Sequence, residues 1–285
     1  MRSKSWRRLV PAIITLSFVT PGVSFRADAL TPPNHVGDIT VDTGFRVDRD
    51  GFSFVNWGGI SEASGISPAH VLQLFRHVGK CSSDPVNPSC VLRNGLVVTH
   101  DHLEEHLAAG RCEGMAVLAG RIFLGRIKLS HLSATATSTF DLKVEEAEDE
   151  IAYWWATQLA PNIYEYSAKH RTLSTHQLAH EIIGQMQKRV MVTIGIYTPD
   201  WSHSVLAIKG SYRSGITRIV VYDSNFPGET RILLLNHRRN SWVYKDALQP
   251  DGSLATFQGR GAGGLDYIPV LLRSRLSGWE RLGGF

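Results

Sequence analysis

Cys112 is the residue with the strongest claim to chemistry. The chain holds three cysteines, and two of them, Cys81 and Cys90, bracket the turn-rich stretch Cys-Ser-Ser-Asp-Pro-Val-Asn-Pro-Ser-Cys. A disulfide can close that short loop in an oxidising compartment. The pairing leaves Cys112 as a lone thiol in Ala-Gly-Arg-Cys-Glu-Gly-Met-Ala, at the junction of a glycine and an apolar helical run. An unpaired thiol in an exported protein is open to oxidation, so it calls for deep burial or a chemical role. At a helix N-terminus, unpaired backbone N–H groups and the positive end of the helix dipole favour thiolate over thiol. That makes Cys112 a candidate nucleophile.

Two more residues complete a constellation. His203 opens the β-rich run Ser-His-Ser-Val-Leu-Ala-Ile, where its ring emerges at a strand start beside a turn. Asp223 ends the next such run, Ile-Val-Val-Tyr-Asp-Ser-Asn, and antiparallel neighbours joined by a turn bring residues of this separation together. Thiolate, imidazole and a carboxylate that holds the imidazole's tautomer are the parts covalent acyl transfer requires. Each also has a plainer use: a buried thiol packs, a strand-end histidine is ordinary, and Asp223 suits an Asx turn before Pro227-Gly228. Glu113 stands against the nucleophile assignment, because a carboxylate beside a thiol opposes thiolate formation unless it points away.

The positioning elements follow from periodicity. Ser67 to His77 predicts a helix with Pro68 at its first position. After the cysteine loop, Thr99 or Asp101 can cap a second helix that ends at Gly110, with Asp101 and Glu104 at capping-box spacing. The run from Glu113 to Leu124 is apolar on nearly every side, as a central buried helix is. Segments 143–159 and 174–189 read as amphipathic helices. The period then changes to two: Val190–Tyr197, His203–Lys209, Ile216–Tyr222 and Thr230–Asn236 alternate and are separated by Pro/Asp/Ser/Gly turns, which predicts an antiparallel meander. Helices first and strands second make the fold class α+β. Gly259–Gly264 reads as a mobile loop. Trp154 and Trp155 pack one side of their helix or line a substrate groove. His100, His102 and His106 lie near Glu104 and Glu105, yet a solvated, capped helix accounts for them, so no metal is expected. No other cofactor is implied.

Residues 1–29 are expected to be a signal peptide: Arg2, Lys4, Arg7 and Arg8 precede an apolar stretch from Leu9 to about Val19, and Ala27-Asp28-Ala29 gives a small-x-small cleavage site. The stretch is too short for a stable membrane anchor. This leader carries five Lys or Arg and one Asp, a net +4 equal to that of the whole chain, so the mature protein is near neutral. The pI near 9.0 therefore gives no argument for nucleic acid, and no basic run interleaved with aromatics follows. Residues 30–44 read as an extended lead-in and 45–285 as one large domain.

In its chemical blocks the chain resembles the papain-like cysteine peptidases and, within that fold, is most similar to the peptidases that process bacteriocin leader peptides. The likeness lies in Gly110-Arg111-Cys112-Glu113-Gly114-Met115, in Gln187–Val192 leading to His203-Ser204-Val205-Leu206, and in Val221-Tyr222-Asp223-Ser224-Asn225. The family's chain order of Cys, His, then Asn or Asp implies Cys112 as nucleophile, His203 as general base and Asp223 as orienter, with Asn225 the competing orienter. Many members carry a glutamine shortly before the nucleophile to hold the oxyanion. Here that stretch runs from His106 to Arg111, and Asn56 in Phe-Val-Asn-Trp-Gly is the substitute candidate, beside the Cys112 backbone N–H. The implied activity is that of a secreted or cell-envelope thiol hydrolase, a cysteine peptidase acting on a peptide, protein or cell-wall peptide. The alternatives are a non-catalytic papain-like binding scaffold and an acyl transferase or deamidase of transglutaminase type.

Overall fold

The computed structural model describes residues 38–59, 65–67, 70, 71, 74, 94–199, 201–249 and 252–273. The leader, most of the lead-in, and both Cys81 and Cys90 lie outside these residues, as does most of the 67–77 helix, of which His70, Val71 and Leu74 are helical.

After one short leading strand the chain runs helices and then an antiparallel sheet, as an α+β domain does. Strand β1 (Ile39–Asp42) and the single-turn α1 (Val47–Asp50) precede helix α2 (Asn94–Leu107) and helix α3 (Cys112–Phe123). Helices α4 (Val144–Ala156), α5 (Pro161–Arg171) and α6 (Thr175–Gln187) follow. Then come β2 (Val192–Thr198), β3 (Trp201–Arg213), β4 (Ile216–Tyr222), β5 (Thr230–Asn236), β6 (Ser241–Leu248), β7 (Leu254–Arg260) and β8 (Leu265–Pro269).

Local sequence explains most boundaries. Ser174 accepts a hydrogen bond from Gln177 N and closes a capping box that starts α6, and Pro161 starts α5 from the position where its missing N–H costs nothing. The expected cap of α2 at Thr99 or Asp101 is not used: the helix already begins at Asn94 and runs through both. Glu104, the other half of that supposed capping box, instead accepts from the backbone N–H of Ile66. His100 Nε2 pairs with the carbonyl of the same Ile66, so this face of α2 is spent on the 65–67 segment.

All pairings in the sheet are antiparallel, in the order β7-β6-β5-β4-β3-β2-β8. β3 is twice the usual length. Its first half pairs with β2, and its second half pairs with β1 through Thr40 to Ser211 and its neighbours, so the lead-in supplies a strand and the folded unit starts before Phe45. The two edge strands, β7 and β8, are joined by residues 261–264. A link of that length reaches about 18 Å at most, whereas six strand spacings in a flat sheet come to about 29 Å. The sheet therefore curls on itself, and Phe257 of β7 stacks on Trp201 of β3 with ring centroids 4.1 Å apart. Gly259 and Arg260 are the last two residues of β7 and 261–264 form the turn, in place of the loop expected over Gly259–Gly264. Both Gly259 and Gly264 lie flat against Trp242, where an added Cβ would come within 2.7 Å of the indole.

Side-chain alternation gives the sheet two cores. On one face Leu206, Ile208, Val220 and Tyr222 pack against α3 and α4; on the other Ile194, Val205, Ala207, Ile219 and Val221 pack with Leu178, Ile182 and Met186 of α6. Helix α3 is the hub of the first core: Met115, Val117 and Leu118 are fully buried, each stabilising by about 1.5–3 kcal/mol. Trp154 is wholly buried and Trp155 nearly so, so neither lines a groove. Gly114 sits where α3 crosses α4. A Cβ there would lie 2.0 Å from the Ile151 carbonyl oxygen, so no larger residue lets α3 approach α4 this closely.

Candidate active site

The site forms where the N-terminus of α3 meets the end of the curled sheet. Cys112 is the first residue of α3, a free thiol and partly exposed. As a first-turn residue its backbone N–H has no intrahelical acceptor and points out along the positive end of the dipole. The side chain of Arg111, the residue before it, makes no capping hydrogen bond to this helix end.

His203 on β3 is 5 % exposed. Its Nε2 hydrogen-bonds Asp223 Oδ1 at 2.7 Å, and Cys112 lies near enough for its charge to act on the same ring. Asp223 follows the last residue of β4 and is fully buried. The structure thus brings together the three residues that the sequence singles out, in the roles of thiol, imidazole and orienter. Burial opposes the charged imidazole, but the negative charges of Asp223 and then Cys112 outweigh it and push His203 up to about 10. Burial likewise favours a neutral Asp223, yet His203, the Tyr244 hydroxyl and the Asn225 backbone N–H together hold that carboxyl below its ordinary range.

Asn225 does not orient the imidazole. Its backbone N–H donates to Asp223 Oδ1 at 2.9 Å, and its side-chain oxygen accepts from Asn56 Nδ2 at 3.1 Å. Asn56 is tied down at its other end as well. Its Oδ1 accepts the Arg111 backbone N–H at 2.7 Å, which fixes the orientation of the amide, because a backbone N–H can only donate. Nδ2 keeps one hydrogen uncommitted among the described residues. Gly110 makes room for this amide: its φ of +144° is open only to glycine, and a Cβ would sit 3.2 Å from Asn56 Nδ2. Arg111 completes the brace, donating from Nη1 to the Trp57 carbonyl at 3.1 Å and from Nη2 to that of Gly59 at 2.9 Å.

Glu113 points away from the sulfur. Its Oε2 accepts from the Ser204 hydroxyl, its Oε1 accepts from Arg273 Nη2, and Thr193 Oγ1 donates to Oε1 at 3.3 Å. Burial pulls the Arg273 guanidinium down to about 9, still protonated at neutral pH, so the carboxylate beside Cys112 is paired with an adjacent cation. The objection that Glu113 raises in the sequence is removed by this pairing.

Two contributors escaped sequence reasoning. Tyr244, fully buried on β6, donates its hydroxyl to Asp223 Oδ2 and fixes the second oxygen of the orienter. Nothing local marks it, because β6 itself was not expected. Trp201 covers the His203 ring at 5.1 Å between centroids and is backed by Phe257. Its position two residues before His203, hence on the same strand face, was a usable signal. No protein-family model, curated protein or solved structure matches the chain, so function has to be argued from the site.

Proposed function

We propose that this chain is a thiol hydrolase, a cysteine peptidase of papain-like organisation that cleaves amide bonds in a peptide, protein or cell-wall peptide through Cys112, His203 and Asp223. The observation that carries the proposal is the buried pair in which Asp223 holds His203 Nε2, with a free thiol at a helix N-terminus close enough to act on the same ring. The leader-like residues 1–29 favour an extracytoplasmic place of action.

In this mechanism the acting pair is a Cys112 thiolate and a His203 imidazolium. Cys112 Sγ attacks the carbonyl carbon, and the developing oxyanion accepts from the Cys112 N–H and the uncommitted hydrogen of Asn56 Nδ2. His203 gives its Nδ1 proton to the leaving amine, and the amide C–N bond breaks to leave a thioester. Neutral His203 then takes a proton from water, the hydroxide attacks the thioester carbonyl, and the acid departs as the thiolate reforms. Asp223 keeps its charge throughout and fixes the ring so that Nδ1, not Nε2, meets sulfur. The Arg273 pairing removes the main feature that favoured a non-catalytic scaffold.

The test is iodoacetamide labelling read at Cys112 by peptide mass spectrometry at pH 6, with and without His203→Ala. Fast labelling that collapses in the variant is the expected result. Labelling that rises only near the pKa of a free thiol, about 8.5, and is indifferent to His203 would refute the proposal.

A further inference from the structure

The nucleophile and the base come from different elements, so their separation depends on how α3 is fixed to β3. The chain fixes it with the two residues that follow them. Ser204 comes after His203 and, by strand alternation, faces the α3 side of the sheet with Leu206. Glu113 comes after Cys112. The Ser204 hydroxyl donates to Glu113 Oε2, so a side-chain bond joins the nucleophile's neighbour to the base's neighbour on the side away from the sulfur. Glu113 Oε1 takes its partners from the strand and segment beyond: Thr193 on β2, next to β3, and Arg273, which follows β8. Arg273 also straps the far end of the helix, because its carbonyl accepts Arg121 Nη1 at 2.7 Å.

We propose that Glu113 and Ser204 are positioning residues that lock the α3 N-terminus to β3 so that Cys112 Sγ stays within hydrogen-bonding reach of His203, and that Arg273 cancels the charge this lock would otherwise set against the thiolate. The inference rests on the reading of Cys112 and His203 as the reactive pair. A carboxylate suits the place because its two oxygens accept from Ser204, Thr193 and Arg273 at once, and because an acidic side chain in the first turn is favoured by the helix dipole. It needs Arg273 because Glu113 is only 5 % exposed, and an unpaired buried carboxylate is strongly unfavourable. The other charged groups near the sulfur are His203 and Asp223 from the sheet and Arg111 from the helix start. Arg111 faces backbone carbonyls and feels Glu104 of α2 and Glu148 of α4.

The test uses the full chain and the pH profile of iodoacetamide labelling at Cys112, with urea unfolding as the control for stability. Ser204→Ala should slow labelling at pH 6 about tenfold, as expected for losing one charge-assisted bond, and Ser204→Thr should restore it. Arg273→Met should move the acidic limb upward by about one pH unit, and Glu113→Gln/Arg273→Met should return it, since the neutral pair keeps the bond to Ser204 without the charge. The double variant, compared with wild type, decides the matter if the single Arg273 variant does not fold. Wild-type rate and profile in Ser204→Ala would overturn the lock. A limb that stays shifted in the double variant would overturn the role of Arg273. A wild-type thiol with no reactivity at pH 6 would sink the hydrolase reading itself, whereas a reactive wild type with an indifferent Ser204→Ala sinks only this inference.

Discussion

Replacing Asp223 by Asn isolates the charge that governs the imidazole. The Nε2–Oδ1 distance is 2.7 Å, and with charge centres about 4 Å apart an effective dielectric near 20 gives an attraction of about 4 kcal/mol, or about three pKa units. That accounts for most of the rise of His203 from 6.5 to about 10, with Cys112 supplying the remainder against the cost of burial. Asparagine still offers an oxygen to Nε2–H, so the ring can keep its place while losing its counter-charge. The variant imidazole should then titrate near 7. At pH 8 the wild-type ring is almost wholly protonated and the variant about one tenth so. The measurement is a titration of 15N-histidine-labelled protein by NMR from pH 5 to 10.5, with His203→Gln to assign the resonance. A wild-type ring titrating near 6.5, or a variant titrating with the wild type, would refute the electrostatic account. Stability carries the same sign. A histidine whose folded pKa is raised stabilises fully below its unfolded value of about 6.5 and loses that contribution as pH climbs to about 10. Urea unfolding should therefore show wild type losing a few kcal/mol more than Asp223→Asn between pH 6 and 9.5.

Tyr244→Phe should lower stability by about 1.5–3 kcal/mol in urea, because it strips a donor from a buried carboxylate oxygen, and it should reduce turnover less than Asp223→Ala does. Asn225→Ala should cost far less activity than Asp223→Ala, since among the described residues its side chain hydrogen-bonds Asn56 and not the imidazole; equal losses would mean that the orienter is misassigned. Asn56→Asp keeps the acceptor for Arg111 N–H but loses the donor, so kcat should fall about 10²-fold or more with KM nearly unchanged; a rise in KM alone would place Asn56 in substrate binding instead. Gly114→Ala should lose stability by about 1–3 kcal/mol or more in thermal unfolding, because the new methyl group meets the Ile151 carbonyl.

What could be read from the sequence divides along physical lines. Cys112 at the head of an apolar helix, and His203 and Asp223 at the margins of β-rich runs, are local patterns, and local patterns set helix starts and strand ends. The roles proposed for them follow because each residue type can do only a few things at such a place. The contributions that depend on distant partners were not legible. Glu113 looked like an obstacle because its neutralising cation, Arg273, is 160 residues away along the chain. Tyr244 was missed with its strand: Ser-Trp-Val-Tyr-Lys-Asp alternates only until the register shift between Tyr244 and Ala247, and that irregularity breaks the period that would have announced β6. Gly259 and Gly264 read as a loop because glycine signals flexibility from sequence, whereas here they are small because Trp242 lies across them.

The same contrast explains how the site is built. In the proposed reaction Cys112 depends on the dipole of its own helix and on an imidazole from β3, and that imidazole is held by a carboxylate that β6 fixes in turn. The sheet must therefore curl before Tyr244 can reach Asp223, and α3 must be seated through Gly114 before Cys112 can reach His203. Chemistry that is local in sequence is thus conditional on the least local contacts of the fold. Destabilising the β6–β7 edge should accordingly lower thiol reactivity at pH 6 before it unfolds α3. Trp242→Ala, which hollows out the packing under Gly259 and Gly264, is the variant to use. The result that would break this chain of dependence is a Trp242→Ala protein with wild-type labelling at Cys112 and a measurably loosened β7 by hydrogen exchange.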